Sequence, residues 1–219
     1  MNENLRLKDR PDWVYLLREV YDFYRASPSG GSSKVHSHQR TTRKAISRII
    51  KASPPLVFDP PEQKPVTVHL RRALDQGRRE RHGSLIDTIA SIAPQLSWRY
   101  GYDRMPKGLQ KNYAYAEFTG PSGPVVTNET ILGLVLFAPG TTYPAHAHND
   151  ITESYICLSG AVSENHQGVF APGSLIFNPP GHHHRITVSD REPALLAYAW
   201  TGPAEALAGQ KMSFSRAKA

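Results

Sequence analysis

The series Gly140, His146, His148, Glu153 and Gly160, followed by Gly173, Pro179, Gly181 and His184, constrains this chain more than any other feature. It brings three imidazoles and a carboxylate into one stretch punctuated by glycine and proline, a texture of short strands and tight turns rather than of a helix. His146 and His148 are two apart, so on a β-strand both side chains point to one face. Glu153 can return to that face on the next strand, and His184 arrives from a second hairpin. Neutral imidazole nitrogen and carboxylate oxygen together suit a divalent transition metal such as Zn, Fe, Mn or Ni.

The spacing resembles the two motifs of the cupin superfamily. Gly140, His146, His148, Glu153 and Gly160 fill the first, G-x5-H-x-H-x4-E-x6-G, without a gap. Gly173, Pro179, Gly181 and His184 fill the second, G-x5-P-x-G-x2-H-x3-N, with Val188 where the family often has Asn. That last position is not a ligand. The resemblance implies one metal ion per chain, held by His146, His148, Glu153 and His184.

The rest of the chain supports a mainly β fold with a helical leader. Trp13, Leu16, Leu17, Val20 and Tyr24 recur at helical spacing, with Asp9 as cap and Pro11 in the first turn. A second helix is predicted from Ser37 to Ala52, a third stretch from Val66 to about Gln76, and a fourth around Leu85, Ile86, Ile89 and Ile92. Near Leu96 the texture changes. Trp98–Tyr102 and Tyr113–Phe118 alternate aromatic and polar residues, Ile131–Phe137 is a dense apolar strand, and short strands then follow to Thr201. The pattern predicts a small antiparallel β-barrel or jelly roll with its ligand cavity inside, and the motif resemblance implies that this C-terminal part is a cupin. The expected division is residues 1–95, helical and packed on the barrel, and residues 96–219, the metal-binding catalytic domain. The tail from Gly202 reads as loosely ordered.

With 219 residues, the chain is long enough for one domain with an extension. Its single cysteine, Cys157, excludes an intramolecular disulfide and reads as a small buried hydrophobe. Met1 to Arg10 is polar and lacks the apolar core of a secretory leader, and the longest apolar run is too short to span a bilayer. A soluble, cytoplasmic protein is the expectation. The net charge of +7 is concentrated early, at Lys34, Arg40, Arg43, Lys44, Arg48 and Lys51 and again between Arg71 and Arg81. Without a nucleic-acid-binding signature this reads as a solvated helix face, so nucleic acid is not an expected partner. His36-Ser37-His38 repeats the His-x-His pattern without a following Glu and also reads as surface. No Ser-His-Asp set, phosphate loop or dinucleotide fingerprint is present.

Residues beside the ligands narrow the reaction. Tyr155 lies two after Glu153, so a strand puts it on the same inward face. A nearby cation favours phenolate, a competent general base. Tyr143 precedes His146 by three, and Trp200 closes the last apolar strand. The segment from Tyr143 to Tyr155, the segment Gly173-Ser-Leu-Ile-Phe-Asn-Pro-Pro-Gly181-His-His-His184, and the helical leader resemble the cupin dimethylsulfoniopropionate lyases. Between His148 and Glu153 stand four residues, where some of these lyases have three. The resemblance implies cleavage of dimethylsulfoniopropionate to acrylate and dimethyl sulfide, with Tyr155 as base and Tyr143 in reserve. Trp200 and Tyr143 would meet the sulfonium through their ring faces. The partner it implies is this small sulfonium carboxylate. Two other readings stay open: another cupin metalloenzyme, such as a dioxygenase or isomerase, and a non-catalytic cupin sensor or binding protein.

Overall fold

The computed structural model describes residues 5–102 and 105–209. The leader is helical as expected. Helix α1 (Pro11–Ala26) starts on its proline and buries Trp13, Leu16, Leu17, Val20, Phe23 and Tyr24. Its cap site is Arg10, not Asp9; the Asp9 carboxylate instead accepts from the Arg6 N–H at 3.0 Å. Helix α2 (Ser33–Ala52) begins earlier than Ser37 because the Ser32 hydroxyl accepts from the Val35 N–H. A 3₁₀ turn, Pro65–His69, runs into α3 (Leu70–Gly77), and α4 (Gly83–Ile92) follows. Two short helices were not foreseen, α5 (Lys107–Asn112) and α6 (Ala204–Ala208). The second gives order to part of the tail expected to be loose; residues 210–219 lie outside the described residues. Among the described residues no helix is long and apolar enough to cross a membrane.

The β part contains β1 (Tyr113–Gly120), β2 (Val125–Val126), β3 (Ile131–Phe137), β4 (Thr142–His146), β5 (Thr152–Ser159), β6 (Val162–Glu164), β7 (Gln167–Phe170), β8 (Leu175–Asn178), β9 (His184–Val188) and β10 (Ala194–Thr201). A six-stranded sheet has the order β2-β1-β3-β10-β5-β8 and a four-stranded sheet the order β4-β9-β6-β7. Pairing is antiparallel except for the short β1–β2 contact. The two sheets form an open sandwich of jelly-roll type and do not close into a barrel. Trp98–Tyr102 is not a strand. It makes one isolated bridge, Arg99 to Tyr115, while Trp98 is buried.

The six-stranded sheet is covered on both sides, which is why β3 and β10 are buried along their whole length instead of alternating. On one face Phe118, Leu134, Leu136, Ile156 and Leu195 pack with Trp13, Leu17, Ile46 and Ile86 of the helices. On the other, Tyr113, Val135, Tyr155 and Tyr198 meet Tyr143, Ile186 and Val188 of the second sheet. The first core therefore crosses the point where helices give way to strands. A single backbone position shapes the second core. Gly133 pairs with Tyr198 across β3–β10, and a Cβ there would lie 2.4 Å from the Ala116 carbonyl and 2.6 Å from the Tyr198 hydroxyl. Gly133→Ala is expected to push the Tyr198 ring and lower stability by about 1–3 kcal/mol, the usual cost of overpacking. Denaturant unfolding checks this, and an unchanged midpoint would mean that the sheet yields freely.

Candidate metal centre

The polar residues of both motifs converge between the sheets. His146 ends β4 and pairs in register with His184, which opens β9; their ring centroids are 4.1 Å apart. His148 lies past the end of β4, so the same-face argument from strand spacing covers His146 only. The turn after β4 brings the His148 ring back, 5.4 Å from that of His146. Its backbone carbonyl accepts from the Gly181 N–H at 2.8 Å, which ties the first motif to the second. Gly181 has φ +75°, a conformation that favours glycine. Glu153 comes from β5 of the opposite sheet. One donor atom each of His146, His148 and Glu153 lies within 4.8 Å of the others. His184 Nε2 approaches Glu153 Oε2 at 2.9 Å.

This donor set fits a cation. His146 Nδ1 faces the Pro144 carbonyl at 3.1 Å and His184 Nδ1 the His182 carbonyl at 3.2 Å. A carbonyl only accepts, so each Nδ1 carries the hydrogen and, in a neutral ring, Nε2 keeps its lone pair. The Nε2 atoms of His148 and His184 are buried without a hydrogen-bond partner, since the His184 approach to Glu153 lacks hydrogen-bond alignment. Buried, unpartnered nitrogens are costly unless something is bound there.

Three of the four groups are held in the form a ligand needs, Glu153 ionised and His146 and His148 neutral. Burial alone would raise the Glu153 pKa, but His184, His148 and His146 hold it below the ordinary carboxylate range. Burial, aided by His184, pushes His146 down to about 3. Burial likewise lowers His148, whereas Glu153 outweighs burial at His184 and raises it. The carboxylate is further oriented by the Trp200 indole, whose Nε1–H donates to Glu153 Oε1 at 2.6 Å. The Asn178 amide donates to Glu164 at 2.9 Å and reaches Glu153 Oε2 at 3.5 Å.

Beside the donors is a cavity of about 400 Å³, mouth included, whose walls include His146, Glu153, Tyr143, Tyr155 and Trp200. Each aromatic side chain read from the sequence thus reaches one space. Trp200 also presents its N–H to Glu153, a contact the sequence reading did not contain. Tyr143 is buried, its hydroxyl donating to the Tyr102 hydroxyl at 2.8 Å and its ring lying 4.6 Å from that of Tyr113. Burial pushes the phenols of Tyr143 and Tyr155 well above the ordinary value; at Tyr155 the Glu153 charge adds to the rise. Tyr113, Tyr115 and Tyr198 also line the cavity, with Val135 and Phe137, and none of the five stood out as a site residue in the sequence. The signal for the tyrosines was the two-residue spacing Tyr113/Tyr115 and Tyr198/Trp200 on strands already recognised.

His38 is not on the surface, where the sequence places it. Its neighbour His36 is exposed, but His38 is only 4% exposed. It lies under the six-stranded sheet, with Nε2 2.8 Å from Ser154 Oγ and Nδ1 3.1 Å from Thr201 Oγ1.

A double-sheet sandwich of cupin type thus encloses a His146, His148 and Glu153 cluster that could hold one metal ion, with His184 beside it. The family model of dimethylsulfoniopropionate lyase matches residues 37–196, and the chain belongs to that family. A Cereibacter sphaeroides protein named as a candidate dimethylsulfoniopropionate lyase, DddL, is 51% identical over 216 residues, 98% of this chain and 93% of that protein. Two solved structures share the fold. One, described as dimethylsulfoniopropionate lyases RdDddP and RnDddQII, has TM-score 0.66 and 22% identity over 94% of this chain and 99% of its own. The lyase DddQ from Ruegeria pomeroyi DSS-3 has TM-score 0.67 and 18% identity over 96% and 99%.

Proposed function

We propose that the chain is a metal-dependent lyase that cleaves dimethylsulfoniopropionate to acrylate and dimethyl sulfide by β-elimination. His146, His148, Glu153 and His184 hold one divalent metal, and Tyr155 is the base. The observation that carries this reading is that Glu153 and Tyr155, on one face of β5, open into one cavity walled by aromatic rings. The family and the 51% identical relative support the substrate.

The substrate has a carboxylate at one end and a dimethylsulfonium at the other. A divalent ion held by the four donors would stabilise charge building on the carboxylate and offset the Glu153 charge that opposes Tyr155 ionisation. Tyr155 Oη takes the proton from the carbon next to the carboxylate. The electron pair left behind forms the C–C double bond as the C–S bond breaks, and dimethyl sulfide departs with that bond's electrons. Tyr143, Tyr113 and Trp200 line the cavity, where their electron-rich ring faces would attract the sulfonium cation. Buried walls exclude water from the phenolate. In this reading residues 1–95 cover and brace the sheet and residues 96–219 carry the site. Headspace chromatography of purified metal-loaded protein with dimethylsulfoniopropionate tests the function. Dimethyl sulfide and acrylate should appear in equal amounts, and neither product at any metal loading would end the lyase reading.

A further inference from the structure

Ser154 lies between Glu153 and Tyr155 on β5, so its side chain leaves the opposite face of the sheet and points to the helices. Four buried groups meet there. The Tyr24 hydroxyl from α1 is 2.7 Å from Ser154 Oγ, and His38 from α2 joins Ser154 Oγ to Thr201 Oγ1. The register makes the arrangement informative. Glu153 pairs with Trp200, Thr201 pairs with Thr152, and Ser154 pairs with Ala199. His38 thus bridges β5 and β10 through residues immediately beside the Glu153–Trp200 pair, while on the far face the Trp200 N–H meets the Glu153 carboxylate. Burial keeps the imidazole neutral, with one ring nitrogen donating and the other accepting. Fixed bonds to both strands hold their relative position more narrowly than apolar packing alone would.

We propose that His38 is a positioning residue: it clamps β5 to β10 and thereby sets the orientation of the Glu153 carboxylate in the metal centre. The helical leader then has a part in the site as well as in the core. The inference rests on the metal-centre reading, not on the identity of the substrate.

The test uses Co(II) as the probe, titrated into the full-length metal-free protein and followed by its visible absorption bands, with kcat and KM for dimethylsulfoniopropionate measured alongside. His38→Leu should weaken Co(II) binding several-fold, short of the roughly 10–100-fold that losing a direct outer contact to a metal ligand costs, because its bonds reach Glu153 only through Ser154 and Thr201. It should shift the bands and lower kcat more than it raises KM. His38→Gln, which restores a donor and an acceptor, should recover most of both. Ile49→Val, a buried change on the same helix without a polar contact to the network, should leave affinity and bands alone. If His38→Leu does not fold, Ser154→Ala removes only the shared hydroxyl and should weaken Co(II) binding in the same sense. Wild-type affinity and bands in the folded His38→Leu protein, or in Ser154→Ala where that variant stands in, overturn the proposal. A wild-type protein that binds no Co(II) overturns the metal reading and the clamp together; one that binds Co(II) but releases no dimethyl sulfide overturns only the lyase.

Discussion

His146→Ala and His184→Ala are each expected to lose the metal on dialysis, while circular dichroism still reports the folded sandwich. Both side chains are 1% exposed, and each spends its Nδ1 on a backbone carbonyl, so the nitrogen left for bonding faces the other donors. Removing either takes away one donor of four. The loss should exceed the roughly 10–100-fold that outer contacts to a metal ligand are worth. His184→Ala carries a second consequence. It removes the Glu153 partner at 2.9 Å, and with it the largest influence holding that buried carboxylate ionised. Its remaining affinity should therefore fall more steeply on acidification than that of His146→Ala. Elemental analysis and competition titrations give the answer, and stoichiometric metal at wild-type affinity in both variants would falsify the four-ligand assignment.

Tyr155→Phe should lower kcat by about 10²–10⁴-fold, the usual worth of a positioned base, with metal content unchanged. The substitution keeps the ring that packs between the sheets and removes only the ionisable oxygen. Without a nearby cation the phenol is hard to ionise, because burial and the Glu153 charge both oppose it. Activity should accordingly depend on the bound metal beyond its role in holding substrate. Tyr143→Phe should cost less. Its hydroxyl already donates to Tyr102, and its ring is packed 5.4 Å from that of Phe137 as well as against Tyr113. Steady-state rates with the two variants decide between the phenols. A Tyr155→Phe enzyme with wild-type turnover beside an inactive Tyr143→Phe enzyme would pass the role of base to Tyr143.

Much of the site was legible because its signals are local. Glycines and a proline at set intervals announce turns, and histidines between them announce donors. The amphipathic faces of α1, α2 and α4 were legible for the same reason, since helical spacing is written within a few residues. The errors have a common cause. Trp98–Tyr102 has the composition of a strand, but a strand exists only where a neighbour pairs with it, and here one residue is paired. His148 was placed by strand periodicity beyond the point where the strand stops. His38 looked like a surface residue because its sequence neighbours are basic, while its partners Ser154 and Thr201 are more than a hundred residues away.

By itself, then, the sequence determined the helical leader, the cupin-type β region, the donor types and the inward side of Glu153 and Tyr155. The helices and the inward side of Glu153 and Tyr155 follow from short-range periodicity and backbone sterics, whereas the cupin-type region and the candidate donors follow from the resemblance to the two motifs. Tertiary structure alone decided that the sandwich stays open and that Trp200 addresses Glu153. It also decided that Tyr113, Tyr115 and Tyr198 line the cavity and that a helix residue stands behind the strands carrying Glu153 and Trp200. Cross-strand register and the packing of helices on a sheet join residues far apart in the chain, and no local pattern encodes which of them meet.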